Sequence, residues 1–129
     1  MNSQKSDYQF KRYCKTLTLK NDPELIEEYK RVHENVWPEI KKGMREVGIL
    51  NMEIYIHGNR LFMIMDTAPG FDHDKAMQRL AAKPRQAEWE AHVARFQETT
   101  EEASAAEKWQ LMERIFKLDQ RKEHGDQEK

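Results

Sequence analysis

The chain contains 129 residues, of which 38% are hydrophobic and 35% are charged, and this length and composition fit one soluble domain with a single core. Its 22 basic and 23 acidic side chains nearly cancel, which disfavours a nucleic-acid partner, because such partners are bound by an excess of Lys and Arg. No apolar run approaches the roughly 20 residues that a membrane helix needs, and the first residues lack the apolar segment of a signal peptide. The single cysteine, Cys14, excludes an internal disulfide, so we expect a cytoplasmic protein.

The first part of the chain predicts a strand followed by a kinked pair of helices. Residues 10–19 are rich in Thr, Tyr and Leu and contain neither Gly nor Pro, which is typical of a strand. Asp22 and Pro23 form a helix start signal, with Asp at the N-cap and Pro at the first helical position. Because Pro38 cannot lie inside an unbroken helix, we expect the helical spacing to break before it and to restart until Gly48.

Residues 49–66 predict a β-hairpin, because two strand patterns flank a turn at residues 57–60. Residues 49–56 alternate between apolar and polar side chains, so the first strand of the hairpin has two different faces. One face carries Leu50, Met52, Ile54 and Ile56, and the other carries Asn51, Glu53 and Tyr55.

The last part of the chain predicts a helical region and a final strand. Helical spacing extends over residues 73–82, pauses at Pro84 and resumes to about residue 102. Residues 109–118 are interpreted as the last strand, although the same residues are also compatible with a helix. The order strand, helix, strand, strand, helix, strand is that of the ferredoxin-like split βαβ arrangement, an α+β fold with a four-stranded antiparallel sheet.

We expect one domain at residues 9–118, with flexible termini at residues 1–8 and 119–129, where polar residues show no periodicity. Two helices should cover one face of the sheet and leave the other face with polar and aromatic side chains. This second set comprises Lys15, Asn51, Glu53, Tyr55 and Arg114. Because such a lining suits a cavity, we predict a homodimer in which two chains pack these faces into an α+β barrel that holds a small polar ligand.

The sequence contains no pattern typical of a metal or cofactor site. The five histidines lack the spacing of metal ligands, and the five glycines form no phosphate-binding motif. Cys14 falls in a predicted strand, where a small buried side chain is expected. We therefore expect neither a metal nor a cofactor.

The best candidate for chemistry is a pair on the first helix, Tyr29 and His33. Residues four apart lie on one helix face, so an imidazole that can exchange protons lies beside a phenol. An alternative interpretation is that both are boundary residues of an amphipathic helix. Trp37 is expected to anchor the core at the helix kink, and His73 and His92 are expected at the surface.

Four segments of the chain together form a recognisable pattern. They are EEYKRVHENVWPEI at 27–40, NMEIYIHGNRLFMIMD at 51–66, RQAEWEAHVARF at 85–96 and LMERIFKL at 111–118. These segments resemble the L-rhamnose mutarotase family and its L-fucose-associated relatives. The most specific part is E-Y-x3-H followed by W-P-E. The resemblance implies a dimeric ferredoxin-like α+β barrel that interconverts the α and β anomers of a 6-deoxy-L-sugar without a cofactor.

The resemblance also implies roles for individual residues. His33 matches the catalytic acid/base histidine of the family, Tyr29 its substrate-contacting tyrosine, and Trp89 the second tryptophan of a substrate-binding pair. Met52 lies where the rhamnose enzymes have a tyrosine, and Glu88 replaces the first tryptophan of the pair. These two exchanges favour L-fucose over L-rhamnose as the substrate.

Two other classes of function remain open from the sequence. One is a cofactor-free monooxygenase on the same kind of dimeric barrel, acting on an aromatic substrate in a largely apolar cavity. The other is a binding or stress-response barrel without catalysis. Asn51, Glu53 and Glu88, which are expected to hold sugar hydroxyls, favour a polyhydroxyl ligand over the aromatic substrate of a monooxygenase.

Overall fold

The computed structural model describes residues 9–98 and 108–119, which form one antiparallel sheet with helices. The strands are β1 (Lys11–Thr18), β2 (Ile49–His57), β3 (Arg60–Thr67) and β4 (Gln110–Met112). The helices are α1 (Pro23–Val32), α2 (Pro38–Glu46), α3 (His73–Ala81) and α4 (Gln86–Ala94), with a short 3₁₀ turn at His33–Asn35. The strand order β2-β3-β1-β4 confirms the predicted ferredoxin-like α+β fold.

The start of α1 and the kink after it follow the sequence signals. The Asp22 carboxylate accepts hydrogen bonds from the backbone N–H groups of Glu24 and Leu25, at 3.0 and 3.4 Å, and so caps the helix. Pro38 lacks an N–H group and occupies the first turn of α2, where that group has no helical acceptor. The two helices are therefore separated by the 3₁₀ turn at the predicted break.

The hairpin between β2 and β3 is confirmed, but its first strand begins with a β-bulge. His57 pairs with Arg60 across a two-residue turn, whose Gly58 has a φ of +61°. The register shifts between Ile49 and Asn51, so Leu50 is an extra residue and its side chain is 60% exposed. The prediction that Leu50 shares the apolar face of this strand is therefore wrong.

All four helices contribute to a core on one face of the sheet. Leu17 of β1 and Leu61 of β3 are partners in the register, and both are buried under the helices. Lys15, two residues before Leu17, pairs with the buried Met63 and therefore lies on the same covered face. The prediction that Lys15 lies on the uncovered face is wrong, because it shares the parity of the buried leucine.

The last part of the chain departs most from the sequence prediction. Helix α4 ends at Ala94, and Gln97 forms an isolated antiparallel bridge with Leu19, so the helix does not continue to residue 102. Residues 99–102 and the predicted flexible termini, except Asp119, lie outside the described residues. The final strand is only three residues long, and the side chains that follow it are largely exposed. These are Ile115, Phe116 and Leu118.

Within the described residues, no helix is both long and apolar enough to span a lipid bilayer. The longest of them, α1, has ten residues and mixes charged side chains with its apolar face.

Candidate active site

A cavity of about 440 Å³ lies between the helices and the sheet of this single chain. Its lining includes Tyr29 and His33 from the first helix region, Met52 from β2 and Trp89 from α4. The sequence pattern placed a ligand cavity on the uncovered face of the sheet. The structure instead forms this pocket on the opposite, helix-covered face, where apolar walls meet a few polar side chains.

Helix α1 brings Tyr29 and His33 together at its C-terminal end. Their ring centroids are 4.3 Å apart, and His33 Nδ1 lies 2.9 Å from the backbone carbonyl oxygen of Tyr29. Because a carbonyl oxygen only accepts hydrogen bonds, Nδ1 must carry the proton and donate it. The neutral imidazole therefore keeps the lone pair on Nε2, which is the nitrogen that can act as a base.

Burial shifts the pKa values of His33 and Tyr29 in opposite directions and favours the neutral form of each group. It lowers the pKa of His33 below its usual value of 6.5, an effect that His92 reinforces and the hydrogen bond to the Tyr29 carbonyl opposes. It raises the pKa of the Tyr29 phenol above its usual value of 10.0. At neutral pH the cavity therefore holds an uncharged imidazole beside a phenol that keeps its proton, which pairs a proton acceptor with a hydrogen-bond donor.

Aromatic rings support this pair from the side of α4. The Trp89 ring lies 5.6 Å from the His33 ring and 5.1 Å from the Trp37 ring, with edge-to-face geometry in both contacts. The Arg85 guanidinium lies 4.1 Å above the Trp37 ring. Trp37 packs against the core cluster, which confirms its predicted anchoring role.

The prediction that His73 and His92 are surface residues is wrong. His92 is half-buried and stacks on Trp37 with ring centroids 5.7 Å apart. His73 is also half-buried, and its ring lies 5.1 Å from the ring of Tyr13. In each case an aromatic ring from another element covers one side of the imidazole, and sequence spacing alone does not show such a contact.

The remaining residues expected to contact the ligand divide into two groups. Met52 and Asn51 line the cavity. Glu53 follows Met52 on β2 and points to the uncovered face, where it accepts a hydrogen bond of 2.9 Å from the Tyr55 hydroxyl. Glu88 precedes Trp89 on α4 and is exposed, and Arg85 donates to it at 3.0 Å. The structure therefore places both carboxylates away from the cavity lining.

Gln86, Gln97 and Lys108 are buried in the cavity lining and were not expected there from the sequence, whereas Lys15 was expected to line a cavity on the opposite face. For Lys15 the sequence did contain a signal for the correct face. It lies two and four residues before the buried Leu17 and Leu19, so it shares their face in an extended strand. Burial lowers the pKa of the Lys15 ammonium from 10.5 to about 8, and the nearby Asp74 carboxylate opposes this effect. For the two glutamines the local sequence carried no comparable signal. Gln86 begins α4 and Gln97 follows it, and neither position by itself indicates a buried amide.

Across the parts of the chain that the structure describes, no three side chains of the His, Cys, Asp and Glu types meet in an arrangement that could hold a metal ion.

The model of the L-rhamnose mutarotase family matches residues 12–118 of this chain. The chain belongs to this family. It is 38% identical over 109 residues to an L-fucose mutarotase of Xanthomonas campestris, and the aligned region covers 83% of this chain and 87% of that relative. It is 35% identical over 114 residues to a UPF0734 protein of Dictyostelium discoideum, and the aligned region covers 85% of this chain and 91% of that relative. An L-rhamnose mutarotase of Brucella anthropi is 30% identical over 78 residues, with 59% and 70% covered.

The fold also matches a solved member of the same family. The crystal structure of an L-rhamnose mutarotase from Formosa agariphila superposes with a TM-score of 0.65, over 84% of this chain and 99% of that chain, at 20% identity. The family resemblance predicted from the motifs is thus confirmed, and the chain is a carbohydrate isomerase of the epimerase type. Neither a monooxygenase nor a non-catalytic barrel finds support in these comparisons.

Proposed function

We propose that this chain interconverts the α and β anomers of a 6-deoxy-L-hexose, L-fucose or L-rhamnose, by acid/base-catalysed ring opening without a cofactor. The observation that carries this proposal is the half-buried His33, whose Nδ1 is hydrogen-bonded to the Tyr29 carbonyl while its ring lines the cavity. A neutral imidazole with a defined basic nitrogen is the group that the reaction needs. The catalytic domain in this proposal comprises residues 9–118.

The reaction requires one proton to leave the anomeric hydroxyl and one to reach the ring oxygen. His33 Nε2 accepts the proton from O1, the bond between C1 and the ring oxygen breaks, and the ring oxygen takes up a proton. Rotation about the C1–C2 bond followed by the reverse steps gives the other anomer. Proton count and charge are the same at the end as at the start, and general acid/base help of this kind contributes about 10² to 10⁴ in rate.

Two further residues have distinct roles in this mechanism. The Tyr29 hydroxyl keeps its proton, so it orients the reacting oxygen or relays a proton as a hydrogen-bond donor. The Trp89 ring offers an apolar surface to the C–H side and the methyl group of the sugar. Met52 and Asn51 lie along the same cavity and contact the bound sugar, whereas Glu53 and Glu88 take no part.

L-fucose is the first sugar to test. The similarity to the L-fucose mutarotase of Xanthomonas campestris covers most of both chains, which supports this choice. The L-rhamnose mutarotases align over shorter parts of this chain, at 30% and 29% identity.

Saturation-transfer NMR on equilibrated L-fucose and L-rhamnose measures anomer exchange directly. We expect the wild-type protein to accelerate exchange and the His33→Ala variant to lose most of this acceleration. His57→Ala is the matched control, because His57 is exposed at the end of β2 and does not line the cavity. Unchanged exchange with His33→Ala would remove His33 from the mechanism.

The partner of each chain in this proposal is a second copy. A homodimeric α+β barrel is supported by apolar side chains that are exposed in the single chain, and these are Leu111, Met112, Ile115, Phe116 and Leu118. Analytical ultracentrifugation tests the assembly, and a monomer at micromolar concentration would contradict it. A cytoplasmic location completes the proposal and is tested by cell fractionation.

A further inference from the structure

Four polar side chains of the cavity are buried; Lys108 is 7% exposed, and the other three are buried still more completely. Lys15 is 3% exposed, Gln86 is 4% exposed and Gln97 is 3% exposed. They come from three different places in the fold, which are the middle of β1, the first residue of α4 and the segment after α4. All three line the same cavity as His33. We call Lys15, Gln86 and Gln97 the polar wall.

The hydrogen-bonding capacity of the polar wall is not used up within the described part of the chain. The side-chain NH₂ group of Gln86 donates to a Glu90 carboxylate oxygen at 3.1 Å, which fixes the orientation of the amide and leaves its Oε1 buried without a partner. Gln97 Oε1 is likewise buried without a partner. Lys15 Nζ lies 4.0 Å from the Met77 sulfur, which is a weak acceptor.

Such an arrangement destabilises the free protein. A buried carbonyl oxygen without a donor, or a buried ammonium without an oxygen acceptor, loses its interactions with water and gains little in return. Several such groups facing one cavity indicate that a ligand completes their hydrogen bonds, since local rules are broken mostly at functional sites.

The chemistry of the polar wall defines the ligand that fits it. An ammonium group supplies donors and two amide oxygens supply acceptors. A hydroxyl group both donates and accepts, so adjacent hydroxyls of a sugar satisfy both kinds of partner. The aromatic ring of Trp89 lines the same cavity, where it offers an apolar surface to the C–H groups of the sugar.

We infer that the polar wall binds the hydroxyl groups of the sugar and determines which sugar the enzyme accepts. This inference rests on the mutarotase function proposed above. L-fucose and L-rhamnose differ in the directions of the hydroxyls at C2 and C4, and hydrogen bonds depend on direction. A site built to hydrogen-bond particular hydroxyls discriminates strongly against a sugar that presents them differently. Lys15 is the central member of the wall, because it carries the charge.

The test compares Lys15→Met, Gln97→Leu and the control Lys20→Met. Methionine keeps an unbranched side chain and matches the sulfur-containing neighbours of Lys15, while Lys20 is exposed just beyond β1 and does not line the cavity. Anomer exchange by NMR gives kcat and KM for L-fucose and L-rhamnose. Titration with methyl α-L-fucopyranoside, which lacks a free anomeric hydroxyl and cannot mutarotate, gives binding without reaction.

We expect Lys15→Met to raise KM for the preferred sugar about tenfold to a hundredfold, as removal of a charged hydrogen bond does, with kcat changed less than about threefold. The preference between the two sugars should shrink in Lys15→Met and, to a smaller extent, in Gln97→Leu. The glycoside should bind both variants more weakly than it binds the wild type and Lys20→Met.

The inference would be overturned if a folded Lys15→Met variant kept the KM, the sugar preference and the glycoside binding of the wild type. The same unchanged values in Gln97→Leu would confirm that the polar wall has no such role. Thermal unfolding of each variant shows whether it is folded. A wild-type protein that exchanges neither sugar refutes the proposed function instead. In that case glycoside binding still decides the inference, since it is supported if the wall variants weaken binding and overturned if they do not.

Discussion

Replacement of Lys15 by methionine should stabilise this protein at neutral pH, although the change removes a side chain from the cavity lining. Lys15 is almost completely buried, and its amine lies beside Met77, with no carboxylate of residues 9–98 or 108–119 in hydrogen-bonding contact. Burial lowers its pKa from 10.5 to about 8, so the folded state holds the ammonium form less favourably than the unfolded chain does.

The size of the effect follows from this difference in pKa. A fall of the pKa from 10.5 to about 8 lowers the free energy of unfolding by roughly 3 kcal/mol at a pH below both values. The effective dielectric constant around buried charges in proteins is well above that of a dry interior, so we expect Lys15→Met to increase the free energy of unfolding at pH 7 by only about 1 to 2 kcal/mol. For a domain of this size such a gain corresponds to a melting temperature about 4 to 8 °C higher.

The pH dependence provides the sharper measurement. Between pH 8 and pH 10.5 the unfolded chain binds a proton at Lys15 that the folded chain has lost, so the stability of the wild type rises with pH in this window. The advantage of Lys15→Met should therefore be largest at pH 7 and shrink towards pH 10. Urea unfolding of both proteins at pH 7, 8, 9 and 10 tests this, with Lys20→Met as control. A destabilised variant, or an advantage that does not change with pH, would refute the reasoning.

Three further predictions concern the base, a helix cap and a turn. The midpoint of the acid limb of exchange activity should lie below pH 6.5, because protonation removes the base and burial lowers the pKa of His33 below its usual 6.5; an NMR rate profile with a midpoint above 6.5 would contradict this. Asp22→Ala should lower the free energy of unfolding by about 0.5 to 2 kcal/mol, and Asp22→Asn by less, in urea titrations; equal losses would argue against the cap. Gly48→Ala should lower the free energy of unfolding by about 1 to 3 kcal/mol, because φ is +105° and the added Cβ would lie 3.2 Å from Phe71 Cδ1. A melting temperature like that of the wild type would refute this prediction.

Periodicity along the chain was enough to predict most of the fold. The Asp22 and Pro23 signal located the start of α1, and Pro38 located the restart of the helix, because both act through the few residues around them. The strand alternation of residues 49–56 held from Met52 onward. It failed at Leu50, where a bulge inserts one residue, and bulges depend on the partner strand rather than on local sequence.

The site was predictable only in part, because its composition depends on which side chains from distant parts of the chain face the same cavity. Tyr29 and His33 were found because helix geometry fixes their contact within one turn. Lys15 was assigned to the wrong face although it has the parity of Leu17, since its charge was taken as a sign of exposure. Glu88 and Trp89 are neighbours in sequence, but their side chains leave the helix in directions about 100° apart. Only the tertiary arrangement shows which of them reaches the cavity.

The hydrogen bond from His33 Nδ1 to the Tyr29 carbonyl gives residue 29 two separable contributions. The carbonyl that holds the imidazole belongs to the main chain, so every side chain that keeps α1 helical retains it. Tyr29→Phe therefore deletes the phenol without disturbing the tautomer of the neighbouring histidine. A backbone carbonyl also has no titration of its own and adds no net negative charge, unlike the carboxylate partners that often hold a histidine. The enzyme is thus left with a weak base that needs no second ionisable side chain to orient it, which suits a reaction that is already easy in water.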